Sequence, residues 1–243
     1  MFAHEKFILG RVAHAIERYQ LIEDGDRVLV AASAGKDSTT MAYALAALLK
    51  TLKIHFTLHA VRIAADFVDN VQVEPLRKLF TDWGIALEEI PVNVLGRLKP
   101  GEKMNCYWCS GQRRMELMEY ARVHGYNKIA LGHHLDDILE TLFMNMTQKG
   151  ELASMPVRID YDKYPISIIR PLALVEERQI IGFAESYGFR SITCSCDYGQ
   201  NSKRRVMREK IAVFTGNDSA VKNRIFESLH HVKLDYLTVY GRS

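Results

Sequence analysis

The chain has 243 residues, 48% of them hydrophobic, and its 32 Lys and Arg against 29 Asp and Glu leave a net charge of +3. That is enough apolar material for a sizeable core in one domain, or one domain with an appendage, and the small basic excess permits a nucleic-acid partner without arguing for one. No apolar run is long enough to span a bilayer and the first 20 residues lack a signal-peptide pattern, which excludes membrane-spanning and secreted classes and predicts a cytoplasmic protein.

Residues 1–20 read as an amphipathic helix with Ile8, Val12 and Ile16 on one face. A turn at 23–26 leads into a buried strand over 27–32, and a helix runs from 37 to about 50. A second strand is predicted at 54–63, a helix at 72–84 with Pro75 in its first turn and Gly84 as its stop, and a third strand at 86–92. A polar loop over 93–105 runs into the first cysteine pair. A helix at 111–126 closes at Gly125, followed by a strand at 128–132 and a helix at 136–146. Residues 148–165 read as irregular or hairpin. A strand at 166–172 ends at Pro171, a helix covers 176–188, and two helical stretches fall at about 202–214 and 219–230. Strands alternating with helices through residue 190 predict an α/β fold: a doubly wound, mostly parallel sheet with helices on both faces. Ligands of such sheets bind outside the carboxyl ends of the strands, where the three motifs below fall.

The first motif is Ser33-Ala34-Gly35-Lys36-Asp37-Ser38, between a strand and a helix. Backbone N–H groups and the helix dipole make such a junction an anion site; small side chains admit a phosphate, Ser33 and Ser38 add hydroxyls and Lys36 adds charge. It is neither a Walker A loop nor a dinucleotide fingerprint. Read as plain structure, it is a tight turn capped by Asp37 or Ser38. The second motif is the cysteines. The four are Cys106 and Cys109, spaced C-x-x-C, and Cys194 and Cys196, spaced C-x-C. In a cytosolic chain they favour metal or redox roles over disulfides; the C-x-x-C alone fits half a zinc site, a redox pair or an iron–sulfur ligand pair, and the four together read plainly as a structural zinc site, against which the tight C-x-C spacing counts. The third is LGHHLDDILET at 131–141, with Gly132, His133, His134, Asp136 and Asp137 where a strand enters a helix. Two adjacent carboxylates there suit a hard cation, or simply cap the helix.

SAGKDS resembles the SGGKDS loop of the PP-loop ATP pyrophosphatases, with Ala34 in the place of the first glycine. If that position needs a positive φ, the methyl group costs stability. Together with C-x-x-C and RRMEL, KIALGHHLDDILETLFMNM, IRPLALVEERQI and CDYGQNSKRRVMR in that order, the chain from about 25 to about 212 resembles the tRNA 2-thiocytidine synthetases.

The resemblance implies one PP-loop domain over 1–243, with an N-terminal helix at 1–22, a nucleotide-binding core at 23–190 and a cysteine-containing helical segment at 191–243. It implies ATP, Mg²⁺ and a 4Fe-4S cluster as cofactors. Ser33, Ala34, Gly35, Lys36, Asp37 and Ser38 would hold the departing pyrophosphate, His59, Ala60 and Val61 would flank adenine, and Gly132 and His133 would line the same site. Lys36, Asp37, Asp136 and Asp137 are the implied catalytic set, the two last for Mg²⁺ or base positioning. Cys106, Cys109 and Cys196 would hold the cluster, with Cys196 preferred to Cys194 by its distance to RRVMR. tRNA is the implied partner, with phosphate contacts expected from Arg113, Arg114, Lys203, Arg204, Arg205 and Arg208 and base stacking from Tyr107, Trp108 or Tyr198. The sulfur would come as sulfide or from a cysteine desulfurase, and a homodimer is allowed. The competing readings are a PP-loop enzyme of the lysidine synthetase or amidotransferase kind, whose chemistry needs no cluster, and a non-catalytic metal-containing RNA-binding protein, to which Ala34 points.

Overall fold

The computed structural model describes residues 3–67, 73–99, 101–189 and 203–237. They fall into two compact units: Met1–Leu135 with Pro156–Ser202, and Asp136–Met155 with Lys203–Ser243.

The first unit is built on a six-stranded sheet: β1 (Arg27–Ala31), β2 (Thr57–Ala65), β3 (Ala86–Val92), β4 (Lys128–Ala130), β5 (Arg158–Asp160) and β6 (Ser167–Ile169), in the order β3-β2-β1-β4-β6-β5. All neighbours are parallel except the β5–β6 pair. This is the doubly wound α/β sheet expected from the alternation. Its inner strands are apolar on both faces, as β1 shows: Val28, Leu29 and Val30 are all fully buried.

Side-chain alternation sends Leu29, Val61, Ile63 and Ile129 to one face, where they pack under α4 (Cys106–His124) through Leu117 and Ala121. The other face is covered by α2 (Lys36–Leu49), which packs with α1 (Ala3–Tyr19) and α6 (Glu177–Ser186). The α1 stripe of Ile8, Val12 and Ile16 is buried, as its 3.6-residue periodicity requires. Between β2 and β3, α3 (Val73–Asp82) packs along β3 with Leu76 and Phe80 inward.

The second unit holds α5 (Leu135–Gln148, entered from the last residue of the first unit), α7 (Lys203–Thr215) and α8 (Ser219–Ser228). Among the described residues no helix is long and apolar enough to cross a membrane.

Several boundaries move from expectation. The second strand runs two residues further, to Ala65, and starts at Thr57. The helix carrying the first cysteine pair starts at Cys106 itself, five residues early, because the Asn105 side chain caps it by accepting from the Trp108 N–H at 2.9 Å. Cys194, Cys196, Tyr198 and the rest of 190–202 lie outside the described residues.

Candidate functional site

The strand order reverses at β1: the chain goes from β1 to β2 on one side, while β4 lies on the other. Crossovers on opposite sides of that point open a crevice at the carboxyl ends of β1 and β4. The loop 33–38 leaves β1 there, and the loop 131–134 leaves β4.

In the first loop Ala34 adopts φ 65°, a left-handed conformation that costs a non-glycine residue about 1–2 kcal/mol. Gly35 is the N-cap of α2, and no side chain caps that helix, so the expected caps, Asp37 and Ser38, do not serve. The Ser38 hydroxyl instead ties the loop to itself. It accepts from the Ser33 N–H at 3.1 Å, donates to the Gly35 carbonyl at 3.1 Å and lies 3.0 Å from the Ser33 hydroxyl. A methyl group built on Gly35 would meet nothing nearer than Ser33 Oγ at 3.4 Å, an ordinary contact. The fold tolerates a side chain there.

Lys36 Nζ bonds Glu177, the first residue of α6, at 2.9 Å and Asp37 at 3.1 Å. Burial alone would lower the ammonium pKa, but the two carboxylates outweigh it and raise the value.

The second loop presses against the first. A Cβ on Gly132 would stand 3.0 Å from the Ser38 backbone nitrogen and 3.1 Å from its Cα, so the absence of a side chain at 132 brings the two loops together. The loop is held to β6 by the Leu131 N–H on the Ile169 carbonyl and to the α6 approach by the Leu135 N–H on the Val175 carbonyl, both at 2.9 Å. Arg170, buried at the end of β6, donates to His133 Nδ1 at 3.3 Å.

His59, Ala60 and Val61 lie in the body of β2. Val61 is level with the loop, its carbonyl accepting from the Ala32 N–H at 2.9 Å, and Ala60 is fully buried. His59 pairs in register with Leu29 and stacks on Tyr126. Tyr120 lies 3.3 Å from His59 Nε2 and donates to Glu88 at 2.7 Å. Burial lowers the His59 pKa against the opposing pull of Glu88. The residues that leave β2 at the carboxyl rim are Ala64, Ala65 and Asp66.

At the start of α4, Cys106 and Cys109 stand on one face of the first turn, Cys106 exposed and Cys109 half-buried. Their spacing fits two legs of an iron–sulfur mount. Trp108 packs against the core, whereas Tyr107 projects into solvent. Arg113 is half-buried and Arg114 exposed on the same helix.

In the second unit the acidic pair has partners already. Asp136 is ion-paired with the buried Lys222 of α8 at 2.7 Å, and Asp137 with Arg204 of α7 at 3.4 Å. Glu140, 1% exposed, bonds Arg208 at 2.6 Å and lies 3.5 Å from Arg204. Burial raises its pKa, with Arg208 opposing. Arg205 is exposed beside Glu209, and Lys203 opens α7. Both carboxylates are thus paired with cations of this unit, Asp136 at the shorter distance. Arg204 and Arg208 bind carboxylates, which leaves Arg205 as the described α7 arginine best exposed to phosphate. Sequence reasoning missed Arg170, Glu177 and Lys222. The first two fall inside IRPLALVEERQI, quoted for its resemblance; nothing in the sequence marks Lys222.

The fold and the uncapped loop at its switch point define a nucleotide-binding α/β protein. Residues 10–214 match the PP-loop domain family. The tRNA-cytidine(32) 2-sulfurtransferase 1 of Francisella tularensis is 33% identical over 232 residues, covering 94% of this chain and 86% of its own. The tRNA-cytidine(32) 2-sulfurtransferase of Chromobacterium violaceum is 36% identical over 236 residues, covering 96% and 74%. The chain therefore belongs to the PP-loop family and, within it, to the tRNA 2-thiocytidine synthetases. In fold it is similar to the U34-tRNA thiolase NcsA from Methanococcus maripaludis, solved with its 4Fe-4S cluster, at a TM-score of 0.76 and 23% identity over 95% of this chain and 80% of that one.

Proposed function

We propose that the protein is an ATP-dependent tRNA sulfurtransferase that converts a cytidine of tRNA to 2-thiocytidine. The observation that carries the reading is the α2 N-terminus: no side chain caps it, a strained Ala34 and a glycine the fold does not require precede it, and it stands at the switch point of the sheet. A helix N-terminus without a side-chain cap in that setting suits a pyrophosphate. The relatives' names supply the substrate class.

In this reading the carbonyl oxygen on C2 of the base attacks the α-phosphorus of ATP. An O–P bond forms, the bond to the β-phosphate bridging oxygen breaks, and pyrophosphate leaves into the loop of Ser33 to Ser38. Lys36 turns from its carboxylates to the phosphate charge, and the backbone amides need no reorganisation. Sulfide then adds at the activated C2 and AMP departs with the former carbonyl oxygen. Cys106 and Cys109, with Cys196 as the third ligand, are the residues to hold a 4Fe-4S cluster, which when bound supplies an iron coordination position open to sulfide. Asp137 is the residue on offer to Mg²⁺. Arg113, Arg114 and Arg205 are the cations for tRNA phosphates.

The test is anaerobic incubation of reconstituted protein with tRNA, ATP and sulfide. The expected result is 2-thiocytidine by nucleoside mass spectrometry, with one AMP and one pyrophosphate released per thiolated base. AMP release without thiolated nucleoside, or thiolation without ATP, refutes the reading.

A further inference from the structure

Along α4, Arg114, Met115, Met118 and Arg122 recur at the three- and four-residue spacing of one helix face. Beside this face stands the turn 161–166, which joins β5 to β6. Tyr161 and Tyr164 of the turn and the α4 stripe line an open groove of about 630 Å³, within the about 300–1,000 Å³ of ligand sites. The turn is closed by the Tyr161 N–H on the Ile166 carbonyl at 3.3 Å and the Ile166 N–H on the Tyr164 carbonyl at 2.7 Å, so the tyrosines stand on a fixed backbone. Met118 and Tyr164 are anchored against the core, whereas Met115 is 60% and Tyr161 37% exposed. The acids of the groove are already matched: Glu116 pairs with Arg97 and Glu119 with Arg122, both at 2.6 Å. Arg114 is exposed, and its guanidinium has no ion-pair partner among the described residues. Lys163 adds a cation at the rim, its ammonium 5.5 Å from the centre of the Tyr164 ring.

We propose that this groove is a stacking site for an unpaired nucleotide of the tRNA substrate, its base lying against the tyrosine and methionine surface and its phosphate neutralised by Arg114. This rests on reading the protein as a tRNA-modifying enzyme. Aromatic rings on a preset turn suit a base, because every base has a π-face and stacking needs no hydrogen-bond readout. Nucleotides of a loop can turn that face outward, whereas those of a duplex keep it inside the stack. A second copy of this chain, meeting groove to groove, would bring a second Arg114 and no counter-charge, and an unmatched buried cation is costly; a phosphate supplies the missing charge. The groove is also continuous with the proposed reaction site. Its first residue, Gly111, follows Cys109 by two positions on the same helix, so nucleotides beside a base delivered to the cysteines have α4 to run along.

The test is a titration of the full chain, ¹³C-labelled at its methionine methyls, with tRNA and with a single-stranded oligoribonucleotide. The Met115 methyl resonance is expected to move upfield as a base stacks over it, and a duplex RNA is expected to leave it in place. Tyr161→Ala is expected to raise the tRNA Kd about fivefold or more, the low end for a base stacked on an aromatic ring, and Tyr161→Phe to keep the wild-type value. Arg114→Gln is expected to reduce the salt slope of tRNA binding by about 1, the loss of one phosphate contact. Met115→Glu, on the exposed helix surface, is expected to weaken tRNA binding as well, and it keeps the test decisive if Tyr161→Ala does not fold. A wild type that binds tRNA while Tyr161→Ala, Met115→Glu and Arg114→Gln bind equally well overturns the groove and leaves the tRNA reading standing. A wild type that binds no tRNA overturns that reading and the groove's ligand with it. A Met115 shift that follows protein concentration without RNA, together with a dimer in sedimentation that Met115→Glu abolishes, assigns the groove to a second copy and overturns the proposal.

Discussion

Replacing Gly132 by alanine adds one methyl group where two backbone segments meet. Its Cβ would stand 3.0 Å from the Ser38 nitrogen, 3.1 Å from Ser38 Cα and 3.2 Å from the Asp37 carbonyl carbon. These are backbone atoms of a helix turn, so none can rotate away, and reaching an ordinary contact of 3.4 Å requires a shift of about 0.4 Å. Overpacking of this kind costs about 1–3 kcal/mol, and the stiffer unfolded chain of an alanine variant returns about 0.4–1 kcal/mol. A net loss of up to about 2.6 kcal/mol is expected in urea unfolding. The displaced turn contains Ser38, whose hydroxyl closes the loop, so ATP cleavage is expected to fall about tenfold or more, displacements of this scale being costly to positioned chemistry. Gly10→Ala is the control: nothing lies within 4 Å of that position in α1, and the same change there should stabilise the protein by about 0.5–1 kcal/mol. A Gly132→Ala protein as stable as the wild type, with unchanged ATP cleavage, refutes the close-contact account.

Ala34→Gly relieves a φ of 65° at the loss of a buried methyl group worth about 0.8 kcal/mol, and a net gain of about 0.2–1.2 kcal/mol is expected in the same denaturation assay; a loss shows that the methyl packing outweighs the strain. Arg208→Met removes the closest partner of the buried Glu140 and should cost about 1–3 kcal/mol, discounted for the half-exposed arginine, whereas Arg205→Ala should change stability by less than about 0.5 kcal/mol and lower the salt slope of tRNA binding by about 1. The reverse pattern refutes the division of the α7 arginines. Burial depresses the His59 pKa, so the native state keeps the ring neutral where the unfolded chain takes up a proton. The resulting stability is present above the unfolded value of about 6.5 and is lost as pH falls through it, and His59→Gln should flatten that part of the stability profile; an unchanged slope sinks the assignment.

The sheet was legible because its strands obey simple rules. The run 27–31 is β-branched and stops at small residues, and 86–92 is bounded by Gly84 and a polar loop. The end of β2 was not, because Ala64 and Ala65 carry little strand preference and owe their conformation to pairing with Pro91 and Val92. The start of α4 was hidden by its aromatic and cysteine content, although Asn105 was a usable cap signal. The loop of Ser33 to Ser38 could be placed from sequence, and even the positive φ at Ala34 could be framed as a condition. The charge partners of the acidic pair could not. Asp136 and Lys222 are 86 residues apart, and no periodicity connects them. A carboxylate pair at a helix start looks alike whether it awaits a cation or already has one.

The same separations set an order of events during synthesis. Asp136, Asp137 and Glu140 leave the ribosome 67 to 86 residues before the arginines and the lysine that neutralise them. At about 5–20 residues per second, the first turn of α5 waits roughly 3–17 s with its carboxylates facing only water. Burying Glu140 or Asp136 unpaired would be costly, so the helix is held in solvent until α7 and α8 arrive. The sheet and its loop can form from the segments made first, while the acidic end of α5 is completed only when nearly the whole chain is present.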